Sequence, residues 1–397
     1  MRSCEARLAN QQFPTFIHQI EPQTLRWLAL EGLRGLAVFL VFVVHYTSFL
    51  QPHMTRDVRL LEITAAFARA GQSGVDLFFL LSGLLIYRSC IQENFDARKY
   101  ARRRLVRIYP TFLFVLALYI CTMLTFRFTS KLPGPAGRDV LYIFSNLLLL
   151  PGLFPIVPII TVAWSLSYEL LYYIAMPVLR MTLRLDRWTS LQRAFLAFAA
   201  ASSMIVSGML GFGPNFAMIM FPAGIIVYEI RTGFGAARFS IPARHLTDFL
   251  VLALVMLALL YCGIAEFQLW PCIGVLHQNA LQEIVVAITF SLLVYRCLFE
   301  RAAAYSVFSW RPLRWLGKIS YSFYLFHGFV LHACFQCLNE LLPNCQFGLI
   351  GYLLLLTPVL LASIALTWPL FAFVERPFSL AEPTNLAVKP ADRAFGL

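Results

Sequence analysis

Apolar positions in this chain come in long runs separated by short polar connections. Ten runs are long enough to cross a bilayer as helices: about 28–50, 71–87, 108–126, 165–180, 194–211, 214–230, 247–264, 279–297, 318–338 and 348–374. An eleventh apolar piece, 139–158, is broken by Pro151, Pro155 and Pro158, which suits a re-entrant or interfacial segment better than a crossing. No internal repeat and no separate soluble domain is visible. The pattern predicts an all-α polytopic membrane protein of about ten transmembrane helices. An integral domain over 28–378 would lie between an N-terminal tail, 1–27, and a C-terminal tail, 379–397. Met1 to Arg26 is polar and the first apolar run is already span-length, so no cleavable signal peptide is expected.

Composition agrees: of 397 residues, 59% are hydrophobic and only 13% charged. A formal net charge of +12 could suggest nucleic acid, but the distribution of basic residues argues otherwise. With the N-terminus inside and ten alternating spans, the inner connections and the two tails hold 25 of the 32 Lys and Arg. The outer connections hold six (Arg56, Arg59, Arg69, Arg127, Lys131 and Arg138), and Arg34 alone lies within a span. This is the asymmetry of a cytoplasmic basic skirt, so both termini are expected inside and nucleic acid is excluded as a partner. Cys334 and Cys337 form a lone C-x-x-C in an apolar segment, read as packing, and no metal site is expected.

Two ionisable side chains interrupt the first run. Arg34 and His45 are 11 positions apart, which on an α-helix leaves them ~20° apart on one face and ~16 Å apart along the axis. Charges inside a membrane are costly and mark functional sites, although a snorkelling Arg and an interfacial His would give the same pattern. The expected topology puts His45, Asp76 and Glu169 at similar depth toward the outer side, each from a different helix. Arg34 lies in the inner half, near the basic run Arg102, Arg103, Arg104 and Arg107. That run reads either as topogenic charge on anionic lipid or as a clamp for a phosphorylated cytoplasmic donor. Asp76 reads either as a carboxylate at a helix N-terminus or as the acceptor of a hydrogen bond that orients His45. Trp164, Ser165, Ser167, Tyr168, Tyr172 and Tyr173 surround Glu169, as an interfacial aromatic belt or as a sugar-binding patch. His327 falls near mid-membrane and reads as a packed, hydrogen-bonded histidine. Glu375-Arg376 reads as structural, ahead of a helix stop at Pro377.

Taken together and in this order, these segments resemble the membrane-bound acyltransferase 3 family. The matching pieces are Glu31-Gly32-Leu33-Arg34-Gly35 with His45 beyond, Gly74-Val75-Asp76-Leu77-Phe78-Phe79 through Ser82-Gly83, and Arg102-Arg103-Arg104-Leu105-Val106-Arg107-Ile108-Tyr109-Pro110. Further on come Trp164-Ser165-Leu166-Ser167-Tyr168-Glu169, Ile319-Ser320-Tyr321-Ser322 to His327, and Glu375-Arg376-Pro377. The likeness spans roughly 28–378. One departure is Tyr172, where the family commonly has Phe three residues after the Glu. The resemblance implies an enzyme of the bacterial inner membrane with no bound cofactor. It would take an acyl group, often acetyl, from cytoplasmic acyl-CoA. The acceptor would be a hydroxyl of a carbohydrate or glycolipid such as lipopolysaccharide or an exopolysaccharide. Some members carry an added periplasmic hydrolase-like domain, which this sequence is not expected to include.

On that reading His45, Asp76 and Glu169 are the catalytic set, with His45 as general base oriented by Asp76. Arg34, Arg102, Arg103, Arg104 and Arg107 hold the donor, and Trp164, Ser165, Ser167, Tyr168 and Tyr172 serve the acceptor or the oxyanion. Two other classes remain open from the residues alone. One is a proton-coupled secondary transporter, which intramembrane His, Asp and Glu would suit, though no inverted repeat is seen. The other is a glycan polymerase or flippase.

Overall fold

A computed structural model describes residues 21–125, 136–211, 216–233, 245–264, 275–299, 303–343 and 345–379. Every long element among them is a helix; the only β-type pairings are two isolated bridges. In chain order the helices are α1 (Glu21–Leu50), α2 (Val58–Cys90), α3 (Ala97–Thr125), α4 (Ala136–Leu147), α5 (Ala163–Leu183), α6 (Ser190–Met209) and α7 (Met220–Gly233). They continue with α8 (His245–Ile264), α9 (Val275–Phe299), α10 (Ala303–Phe308), α11 (Arg311–Lys318), α12 (Ser320–Leu341), α13 (Leu349–Leu370) and α14 (Arg376–Ser379). Residues 21–27, expected in the N-terminal tail, continue α1. The rest of that tail and 380–397 lie outside the described residues, as do Arg127, Lys131, Arg238, Arg244 and Arg301.

Eight helices are long and apolar enough to cross a membrane. The other two expected spans form α5 and α12, of 21 and 22 residues. Both have crossing length, but their Ser, Tyr, His and Glu side chains keep them less apolar. Ser165, Ser167, Ser320, Ser322 and His327 among them are buried, screened by other helices. Large apolar side chains are instead exposed on the outward faces of α6, α8 and α13, among them Phe195, Met256, Leu260, Leu354 and Leu361, as a lipid-facing surface requires.

Two helices start well before the expected spans. Asp57 caps α2, its Oδ1 accepting from the Arg59 N–H at 3.0 Å, and the helix runs 33 residues. Arg59, Glu62 and Arg69 made its first turns too polar for an apolar run. Asp96 likewise caps α3 through the N–H groups of Arg98 and Lys99, so the basic run is helix and not loop. The segment expected to be broken is a 12-residue amphipathic helix, α4, followed by an irregular stretch through Pro151. Asn146 holds that stretch, its Oδ1 accepting from the Ile159 N–H at 2.8 Å.

The Gly-rich motif of α1 places Arg34. A Cβ at Gly35 would lie 2.0 Å from the Leu313 carbonyl oxygen, and one at Gly317 would lie 1.7 Å from that of Glu31. Only glycine lets α11 cross α1 so closely, and Arg314 and Lys318 then reach Glu31 at 3.1 and 3.9 Å. On its other side α1 packs along α2, with Gly74 set against Ala37, Leu40 and Val41, and Gly71 against Leu40 and Val44. At the far end the His53–Thr55 strip clasps Phe347: the Phe347 N–H donates to the His53 carbonyl at 2.8 Å and the Thr55 N–H to the Phe347 carbonyl at 3.1 Å.

Candidate active site

Helices α1, α2, α3, α5 and α12 enclose a small inner cavity of about 70 Å³, lined by Arg34, Ser82, Arg107, Ser165, Glu169, Tyr173, Tyr321 and Tyr324. Arg34 and Arg107 share the field of Glu169 and Glu375. Neither guanidinium makes a hydrogen bond to the described residues, so their N–H donors, five on each side chain, are left for a ligand. The carboxylates are held firmly. Glu169 accepts from the Ser82 hydroxyl at 3.0 Å and the Tyr173 hydroxyl at 2.6 Å. Glu375 accepts from the Ser322 hydroxyl and from its N–H at 3.0 Å, in the first turn of α12, where a carboxylate also meets the favourable end of the helix dipole. Glu375 thereby sets the rotation of α12 and with it Tyr321, Tyr324 and His327. Two cations in the cavity wall and two carboxylates within their field make each other's burial tolerable.

Further along α1 and α12 lies a second cavity of about 330 Å³ with mostly apolar walls, lined among others by His45, Phe49, Tyr119, Thr161, Leu325, Gly328, His332 and Gln336. The His45 and His327 rings have centroids 5.1 Å apart. His327 is fully buried, and its Nδ1 lies 2.9 Å from the Phe323 carbonyl oxygen. A carbonyl only accepts, so Nδ1 carries the proton and Nε2 is left as a lone-pair acceptor, buried without a partner. Between the cavities stands a thin layer. The Ser165 and Tyr324 hydroxyls are 2.6 Å apart, both reach the Val162 carbonyl at 3.0 and 3.1 Å, and Phe78 packs edge-on to Tyr324.

Several expected placements are corrected. Asp76 does not orient His45: no hydrogen bond joins them, and Asp76 lies within the field of Glu283 on α9 and Cys262 on α8. The reason is helical phase. Gly74 faces α1, and two residues on is a rotation of ~200°, which turns Asp76 to the opposite side of α2. Asp76 is also mid-helix, so the helix-terminus reading falls as well. Glu169 is not level with His45; its bond to Ser82 sets it in the inner cavity beside Arg34. The outer layer of three ionisable groups therefore reduces to His45, joined by His327.

Of the donor set, Arg34 and Arg107 line the inner cavity. Arg104 lies over the Tyr100 and Tyr173 rings at 5.3 and 5.1 Å and donates to Ser89, while Arg102 and Arg103 are exposed. Of the acceptor set Ser165 lines the inner cavity, and the other four line neither it nor the His45 cavity. Ser167 is fully buried and donates to the Pro151 carbonyl, Tyr172 stacks on Phe221, and Trp164 packs against Tyr168. Tyr321 and Tyr324 carry a signal in the sequence: positions 321, 324, 328, 332 and 336 recur at three and four residues, one face of α12, with His327 beside it. Among the described residues no three His, Cys, Asp or Glu side chains converge as metal ligands.

The described residues thus form a bundle of membrane-length helices with a cation-lined inner cavity and a pair of imidazoles further along the same helices. The chain belongs to the acyltransferase 3 family, whose acyltransferase domain matches residues 27–372. It is 25% identical over 330 residues to YrhL of Bacillus subtilis, covering 75% of this chain and 47% of that one. It is 21% identical over 347 residues to the peptidoglycan O-acetyltransferase OatA of Listeria monocytogenes, covering 80% and 51%. With the O-acetyltransferase OatA of Staphylococcus aureus the figures are 24% over 383 residues, covering 88% and 56%. The chain thus spans about half the length of the curated relatives it matches. No solved structure matches it.

Proposed function

We propose that the chain is an O-acyltransferase that moves an acyl group, acetyl foremost, from cytoplasmic acyl-CoA to a hydroxyl of an extracytoplasmic glycan. The carrying observation is the order of the two cavities on one helix. Free guanidinium donors lie at one end and a neutral imidazole pair ~16 Å further on, about the reach of an extended pantetheine arm. Arg34 and Arg107 bind the polar part of the donor, and the exposed Arg102 and Arg103 meet its phosphates at the membrane face. The thioester passes the Ser165–Tyr324 layer. The acceptor hydroxyl oxygen attacks the thioester carbonyl carbon while His45 takes its proton. The Ser165 and Tyr324 hydroxyls, rotated away from the Val162 carbonyl that they otherwise reach, donate to the carbonyl oxygen as it becomes an oxyanion. The C–S bond then breaks, and the thiolate of CoA leaves with the proton from His45. Transfer through an acyl-His45 intermediate uses the same groups. His327, with Nε2 unprotonated, sits where it can relay the proton.

The named activities of the relatives favour cell-wall and surface glycans, with lipopolysaccharide and exopolysaccharide in the same class of polyol acceptor. Ten crossings of a bacterial inner membrane, both termini cytoplasmic and α4 in the interface, fit the distribution of basic residues. The test is mass spectrometry of surface glycans from cells with and without the protein, paired with acyl-CoA consumption by the purified protein in liposomes. Loss of an ester group together with release of free CoA supports the assignment. Proton-driven uptake without a CoA-dependent product overturns it in favour of a transporter, and a shortened but normally esterified polymer points to a polymerase or flippase.

A further inference from the structure

Next to the His45 cavity lies a third space of about 580 Å³, bounded by the end of α1, the end of α12 and the link to α13. Phe49, His332 and Gln336 line both spaces, so the two adjoin across these three side chains. Phe49 lies four residues beyond His45 on α1, a rise of ~6 Å, and His53 follows in the short turn after the helix ends at Leu50. Its chemistry differs from that of both inner spaces. His53 and His332 present imidazoles, Gln336, Asn339 and Gln346 present carboxamides, and among the described residues no Lys, Arg, Asp or Glu lines it. Phe49 and Phe335 stack at 8° with centroids 6.2 Å apart, and His332 packs edge-on to Phe49. His53 Nδ1 is buried with no hydrogen-bond partner. The His53–Phe347 clasp fixes the roof.

We propose that this vestibule is the acceptor site, and that it takes neutral glycan: a stretch of sugar residues whose hydroxyl enters the His45 cavity while its neighbours stay outside. Carboxamides offer a donor and an acceptor side by side, which matches vicinal hydroxyls, and aromatic faces suit sugar rings. A wall without fixed charge gives no hold to phosphate or carboxylate groups, so anionic polymer segments are excluded. The volume falls in the ordinary range of ligand sites and accommodates more than one sugar residue. The proposal rests on the acyltransferase reading for its reaction, but the binding step is measurable alone.

Chitotetraose and maltotetraose serve as neutral probes and tetragalacturonate as the anionic one. Each is titrated against detergent-solubilised protein while labelling of Cys345, which lines the vestibule, is followed with a membrane-impermeant maleimide. The Cys345→Ser variant subtracts the other thiols. At least one neutral probe is expected to slow Cys345 labelling saturably, with tetragalacturonate without effect. Gln336→Ala combined with Asn339→Ala should weaken that protection tenfold or more; both positions are exposed, so the fold is preserved. In transfer assays the double variant should raise the acceptor KM tenfold while the acyl-CoA KM is unchanged. Protection by none of the neutral probes, equal protection by tetragalacturonate, or protection unaffected by the double variant overturns the proposal. Neutral-probe protection without any CoA-dependent transfer would keep the glycan site and defeat the acyltransferase reading.

Discussion

The inner and middle cavities sit on the same two helices and solve opposite problems. The inner one is small and charged: two guanidiniums and the Glu169 carboxylate in its wall, with Glu375 behind them, the carboxylates tied down by Ser82, Tyr173 and Ser322. The middle one is larger and mostly apolar, with two imidazoles that make no bond to a charged group. Fixed charge inside a membrane is tolerated only when it is balanced on the spot, so it is concentrated where a charged substrate has to be gripped. A base is useful only while its lone pair is free, so it sits apart from carboxylates and ammonium groups. On the proposed function, binding and chemistry are thus separated by the 11 positions of α1 from Arg34 to His45.

That separation predicts a graded set of effects. Replacing His45 by Ala should lower transfer by about a thousandfold, within the usual range for a general base, with protein level and membrane insertion unchanged. A variant retaining most of its activity would remove the middle cavity from the chemistry. Arg34→Ala should act at the other end, raising the KM for acyl-CoA roughly 10- to 100-fold with little change in acceptor KM; Arg34→Lys should recover only part, since an ammonium lacks the guanidinium fork. If acceptor KM rose instead, the two cavities would have the reverse roles. His327→Gln should reduce kcat about tenfold and displace the pH–rate profile without altering either KM; an unchanged profile would leave His327 a packing residue. The smallest effect is expected at Asp76. Asp76→Asn should leave kcat within about threefold, because the carboxylate faces Glu283 and not His45. A loss as deep as that of His45→Ala would restore a coupling between them that the geometry does not contain.

Legibility varied with the kind of interaction involved. The long apolar runs announced their helices because burial in lipid is a property of each segment by itself. The pairing of Arg34 with His45 on one face of α1 followed from helical periodicity alone. α2 was read too short, since Arg59, Glu62 and Arg69 dilute the hydropathy of turns that Asp57 nevertheless caps. Asp76 and Glu169 were read at the right helices but the wrong neighbours. His327 was discounted because a lone histidine in an apolar helix usually is packing; what distinguishes it is an Nε2 left without a partner, which only coordinates reveal.

From the residues alone came the helical class, the basic skirt, the family motifs and the line joining a cation to an imidazole. These depend on local propensity, on transfer of single segments into lipid, and on the 3.6-residue repeat. The tertiary structure decided which helix each side chain faces: Gly35 and Gly317 set how closely α1 and α11 cross, Gly74 sets the phase of α2 and so turns Asp76 away, and Glu375 sets the rotation of α12 and so brings His327 beside His45. Azimuth and depth between neighbouring helices arise from packing among distant segments, and no single stretch of sequence contains both partners.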